Sequence, residues 1–64
     1  MLTLSRKVGE TIIIADDYGK VICEFVVCDA SRMQVRLAFS ANHTVKIYRK
    51  EVWDRIQINK EQYP

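Results

Sequence analysis

A chain of 64 residues, 48% of them hydrophobic, has room for one domain spanning residues 1–64 and is too apolar to remain disordered. A core this small supplies only about 3–5 kcal/mol, so a partner subunit is expected to complete it. A net charge of +2 does not by itself argue for a nucleic-acid partner, and no apolar run approaches the length of a membrane span.

Met1 to Glu10 opens the chain with alternating apolar and polar positions. Leu2, Leu4 and Arg6 share one face of an extended strand, and Thr3, Ser5 and Lys7 share the other. The strand therefore carries positive charge on both faces just before the turn at Gly9, which points to a sheet that receives an anionic partner. No signal sequence fits ahead of it, and a cytoplasmic protein is expected. Thr11 to Ile14 is a β-branched run, the strongest local strand signal. Asp16-Asp17-Tyr18-Gly19 reads as a turn, with Gly19 suited to a positive φ.

Val21 to Cys28 reads as a third strand, with Cys23, Phe25 and Val27 on one face and Ile22, Glu24 and Val26 on the other. The odd separation of Cys23 and Cys28 puts them on opposite faces, where they cannot bridge each other. They are expected to be buried small hydrophobes in a reducing compartment, because no further Cys or His pattern builds a zinc site. After a turn at Asp29 to Ser31, Met33 to Phe39 alternates again. Met33, Val35, Leu37 and Phe39 are read as inward, Gln34 and Arg36 as outward. Ser40 to His43 is a polar loop and Thr44 to Tyr48 a fifth strand. The period then changes: Val52, Trp53 and Ile56 recur at helical spacing, with Glu51 and Arg55 placed to pair. This predicts a helix over about residues 50–60, fraying into Glu61 to Pro64. The fold class is mainly β: five short antiparallel strands and a C-terminal helix.

Charge is distributed in blocks. Arg6 and Lys7 form one basic cluster and Lys46, Arg49 and Lys50 another, with Asp16, Asp17, Glu24 and Asp29 between them. If the first and last strands are neighbours, the clusters merge into one patch fit for nucleic acid; the competing reading is a set of ordinary solvated charges. His43 has no nucleophile–acid arrangement around it, and no catalytic constellation is visible. Neither an enzyme nor a metal or other cofactor is expected.

Three blocks carry a resemblance: Leu2-x-Leu4-x-Arg6-Lys7-x-Gly9-Glu10, then Gln34-Val35-Arg36, then Arg49-x-Glu51-Val52-x-x-Arg55-Ile56. In this order they resemble the carbon storage regulator family (CsrA/RsmA) over nearly the whole chain. The resemblance implies a strand-swapped, intertwined homodimer in which strands one and five of one chain complete the sheet begun by strands two to four of the other. Such exchange removes open strand edges. It also implies binding of messenger RNA at GGA-containing single-stranded loops, control of translation and mRNA stability, and sequestration by small RNAs. By position, Leu4, Arg6, Lys7, Ile47 and Arg49 are the expected RNA-binding residues, joined by backbone groups around Ser40, Ala41 and Asn42, as far as His43. Arg49 has a planar fork for phosphates and guanine edges, or it pairs with Glu51. Trp53 is read as a packing anchor of the helix, and Tyr48 lies on the outward face near the proposed site.

The chain departs from the family pattern in definite places. Ala38 to Asn42 replaces a glycine-containing strand end and a proline-bearing loop, so a different loop path is expected. The segment between Glu10 and Gln34 is longer and carries an acidic tip at Asp16-Asp17. Tyr48 replaces a histidine and Lys46 a small residue. These departures keep a second function open: a divergent relative acting through protein contacts, by heterodimerisation or by binding an antagonist protein, with altered or lost GGA specificity.

Overall fold

The computed structural model describes residues 1–62, with side chains through Ile58. Five strands precede one helix: β1 (Leu2–Lys7), β2 (Thr11–Ala15), β3 (Val21–Val26), β4 (Gln34–Phe39), β5 (Lys46–Arg49) and α1 (Lys50–Gln62). They form two antiparallel sheets, one of β1 on β4 and one in the order β3-β2-β5. The mainly β architecture with a terminal helix is the one the alternation pattern specifies.

Turn chemistry sets the short connections. At Lys7 to Glu10 the Glu10 N–H donates to the Lys7 carbonyl at 3.0 Å, and the Lys7 N–H donates to Glu10 Oε1 at 2.6 Å. Gly9 sits at φ 89°, and a Cβ there would meet nothing within 4 Å. Backbone conformation, not crowding, therefore selects glycine at this position. The β2–β3 hairpin closes on Asp16, whose Oδ1 accepts from the N–H groups of Tyr18 and Lys20, both at 2.9 Å. Gly19 takes the left-handed position at φ 82°.

The core follows alternation only in part, because adjacent Ile12 and Ile13 are buried on opposite faces of β2. Leu4, Ile12, Ile13, Ala15 and Val27 are buried. The β1–β4 register sets Leu4 opposite Leu37 and Arg6 opposite Val35, so these side chains share one face. Phe25 of β3 meets Phe39 of β4 edge to face, with ring centroids 6.4 Å apart, and joins the two sheets. Helix α1 packs on β2 and β5, where Trp53 lies 5.4 Å from Tyr48, ring to ring. Trp53 thus anchors the helix by packing, and Tyr48 is its partner.

Several expectations are corrected. Strand β1 pairs with β4 and not with β5, so the two basic clusters are not merged by a shared ladder. Strand β3 stops at Val26, because Val27 turns its N–H to the Glu10 carbonyl (3.1 Å) and its own carbonyl to the Gly9 N–H (2.7 Å). Cys23 and Cys28 are exposed, not buried: every residue of β3, Cys23 among them, is open to solvent in the single chain, and Cys28 lies beyond the end of that strand. Met33 lies outside β4 and is exposed, whereas Val35, Leu37 and Phe39 point inward and are half-buried. Strand β5 begins at Lys46, because residues 42–45 are held in a turn. On α1, Trp53 and Ile56 are half-buried but Val52 is exposed. The helix continues to Gln62, and the remainder of the expected frayed tail, Tyr63 and Pro64, lies outside the described residues. No helix among the described residues is long and apolar enough to cross a membrane.

Candidate nucleic-acid interface

Without proline or glycine, the loop after β4 takes its shape from Asn42. The Asn42 Oδ1 accepts from the Thr44 N–H at 3.0 Å and from the Thr44 hydroxyl at 3.3 Å, and the Asn42 carbonyl accepts from the Val45 N–H at 2.9 Å. This is an Asx turn, in which a short side chain imitates a backbone turn. It replaces the rigidity that proline would have supplied. Ser40 and Ala41 precede the turn, and their main-chain groups have no protein partner beyond the strand ladder among the described residues. Together with Met1, Leu2, Phe39, His43, Val45 and Ile47 they line an open concavity of about 220 Å³. Free donors and acceptors beside an apolar floor suit an unstacked base, which offers a flat face and hydrogen-bonding edges.

A second cluster lies at the junction of β1 with α1. Arg6 is only 4% exposed and projects from the apolar face of β1. Its Nη1 and Nη2 donate to the two carboxylate oxygens of Glu51 at 2.8 and 2.9 Å, and Nη2 also donates to the Thr11 carbonyl at 2.9 Å. The carboxylate of Glu10 stands 3.7 Å from Nη1. A bidentate pair of this kind holds a buried guanidinium in place. The hydrogen bond from Arg6 and the charges of Arg6 and Arg49 hold Glu51 at a pKa of about 2, well below its usual 4.5, and Glu51 raises Arg6 in turn.

Linkage gives this pair a pH signature. A carboxylate whose folded pKa is depressed contributes stability above its unfolded pKa and loses it as pH falls through the folded value. The Glu51 contribution is therefore complete above about pH 4.5 and disappears as pH falls toward 2. Urea midpoints measured between pH 5 and 2 are expected to fall along this window, and Glu51→Gln is expected to flatten the fall. An equally steep decline in the variant would remove Glu51 as its source.

The structure separates the expected site residues into three groups. Ser40, Ala41, Asn42 and Ile47 are gathered around the concavity. Lys7 and Arg49 are exposed at the ends of β1 and β5. Leu4 and Arg6 are buried, Leu4 in the core and Arg6 against Glu51. Glu51 is thus taken by Arg6 and not by Arg49, and the expected pairing of Glu51 with Arg55 gives way to the same contact. The Arg49 side chain forms no hydrogen bond or ion pair among the described residues, although its main chain belongs to the β2–β5 ladder. Lys50, its neighbour, pairs with Asp54 one helical turn on.

Glu51 was missed as a partner of Arg6, although the signal was present. An arginine at alternating spacing with Leu2 and Leu4 sits on an apolar face, and a buried arginine needs a carboxylate. Asn42 as the organiser of the loop was equally readable from its turn chemistry. A further contact, from Lys46 to Asp17, joins hairpin to loop across 3.6 Å and had no local signal.

The family model for CsrA, described as a global regulator protein family, matches residues 1–58. The chain belongs to this family. CsrA membership places it among regulators and not among enzymes. It is similar to a translational regulator CsrA of Lachnospira eligens, 47% identical over 62 residues, which are 95% of this chain and 78% of that protein. A translational regulator CsrA of Rhodopirellula baltica is 40% identical over 63 residues, 98% of this chain and 83% of that protein. One of Brachyspira hyodysenteriae is 39% identical over 57 residues, 89% of this chain and 63% of that longer protein. No solved structure gives a significant match. The CsrA resemblance carried by the first and last sequence blocks is therefore correct.

Proposed function

We propose that this chain is an RNA-binding regulator of translation that recognises GGA in single-stranded loops of messenger RNA. In this reading one domain over residues 1–64 acts in the cytoplasm, and small RNAs rich in the same motif compete for it. Family membership and the names of three relatives, each a translational regulator, support this class of function. The observation that carries the assignment is the freedom of Arg49. Arg6 bonds both oxygens of Glu51, and the Arg49 side chain makes no hydrogen bond or ion pair of its own among the described residues, so its fork is open to an outside anion.

In the proposed site Arg49 and Lys7 meet phosphates or guanine edges, Ile47 packs under a base, and the main chain of Ser40, Ala41 and Asn42 reads base edges. Leu4 and Arg6 act from beneath by holding β1 and the start of α1. Arginine serves bidentate recognition better than lysine, and each good base contact is worth about 1–3 kcal/mol.

The working unit in this reading is a homodimer, completed by exchange of β1 and β5. Strand β3 supports association with a second chain: Ile22, Phe25 and Val26 are exposed on its two faces, and the outer edges of β3 and β4 have no ladder partner among the described residues. Open apolar edges invite pairing with another chain. Light scattering during gel filtration is expected to give twice the chain mass; a monomer at micromolar concentration would remove the dimer.

The deciding experiment is titration with a short RNA hairpin carrying GGA in its loop, beside one with that triplet changed. Preference for GGA is the expected result. Equal weak binding to both, with capture of a second CsrA-type chain or an antagonist protein, would instead favour a relative acting through protein contacts.

A further inference from the structure

The β2–β3 hairpin tip and the loop after β4 are distant in sequence but joined through one side chain. Lys46, the first residue of β5, lies directly opposite Ala15 at the base of the hairpin. Its ammonium donates to the His43 carbonyl at 3.1 Å and stands 3.6 Å from Asp17 Oδ1. The tip that presents Asp17 is not loose, because Asp16 binds the N–H groups of Tyr18 and Lys20 and closes the turn. The loop end that offers the His43 carbonyl is likewise held by Asn42. Lys46 therefore spans two preformed turns.

We infer that Lys46 is a positioning residue for base recognition, with Asp17 holding its ammonium on the His43 carbonyl so that the loop presents a single main-chain edge. This rests on the reading of that loop as part of the RNA site. Two consequences follow from the chemistry. The His43 carbonyl holds Lys46 and the Asn42 carbonyl holds the Val45 N–H, which leaves base-edge readout to the main-chain groups of Ser40 and Ala41 and the N–H of Asn42. The Lys46 charge is also paired with Asp17, which offsets part of its sequence-blind attraction to phosphate. An acidic tip beside an RNA site thus sharpens discrimination, where simple repulsion would weaken binding to every RNA alike.

The test compares wild type, Asp17→Asn, Lys46→Met and the double variant against the GGA hairpin and its altered-triplet control. Exposed charge contacts are individually weak, so each single variant is expected to lower the discrimination ratio by roughly two- to five-fold. The double variant is expected to fall no further than Lys46→Met alone, because both substitutions break one tie. Asp17→Asn is also expected to raise affinity for the control RNA and to steepen its salt dependence. A discriminating wild type whose ratio is unchanged by either substitution would overturn the proposal. So would Asp17→Asn raising affinity for both RNAs by the same factor, the mark of bulk charge alone.

A readout without RNA separates this idea from the functional reading. Amide hydrogen exchange at Thr44 and Val45 is expected to quicken in both single variants, since the loop loses its anchor. Unchanged exchange would sink the tie whatever the RNA result. Faster exchange in a protein that ignores GGA would instead keep the tie and remove the assigned function.

Discussion

Arg49→Ala is expected to weaken binding of a GGA-loop hairpin by about 1–3 kcal/mol, a loss of roughly five- to 150-fold. The expectation comes from the division of labour at Glu51. Arg6 supplies both hydrogen bonds to that carboxylate, so Arg49 stands exposed at the end of β5 without a carboxylate of its own. Removing it costs little folded-state structure and takes away a charge-assisted fork. The slope of log affinity against log salt is expected to shrink by about one, the share of a single phosphate-neutralising residue. Arg49→Lys keeps the charge but loses the planar geometry, and is expected to recover the salt slope more fully than the affinity. Unchanged affinity in Arg49→Ala would remove this residue from the site.

Glu51→Ala is expected to produce the largest loss of stability, about 2–3 kcal/mol. Breaking a fully buried pair by removing one partner costs about 3–5 kcal/mol, because the other charge is left uncompensated. Glu51 is 54% exposed, so water screens its side of the pair and the expectation is set lower. Arg6, at 4% exposure, is the partner that would be stranded. Arg6→Met is expected to cost less, since it removes the buried charge and keeps most of the apolar stem. The ordering is the test: urea unfolding at one fixed protein concentration should rank Glu51→Ala below Arg6→Met. The reverse ranking would mean that Arg6 acts mainly through packing. In a chain whose core supplies only a few kcal/mol, the loss in Glu51→Ala is a large part of the total.

Both predictions turn on residues whose surroundings sequence alone described only in part. Alternation in Leu2-x-Leu4-x-Arg6 correctly put the three side chains on one face, and the motif then assigned Arg6 to RNA. The fold turns that face toward the core, where both terminal nitrogens of Arg6 bond Glu51, 45 positions away. Lys46 is a similar case. Its place on a strand was legible, but its reach to Asp17 depends on the β2–β5 register that sets it opposite Ala15.

Strand number, strand faces, the hairpin at Asp16 to Gly19, the turn at Gly9 and the terminal helix were determined by the sequence itself. Each depends on a period, a propensity or a turn residue acting over a few neighbouring positions. Family membership was legible for the same reason, since its marks are short blocks at the two ends. Tertiary structure alone decided that β1 lies on β4, that Arg6 takes Glu51 and frees Arg49, and that Lys46 ties the hairpin to the loop. These depend on which distant segments meet and in which register. Many pairings satisfy the same local pattern, and they differ only in how well they bury apolar faces and compensate buried charge.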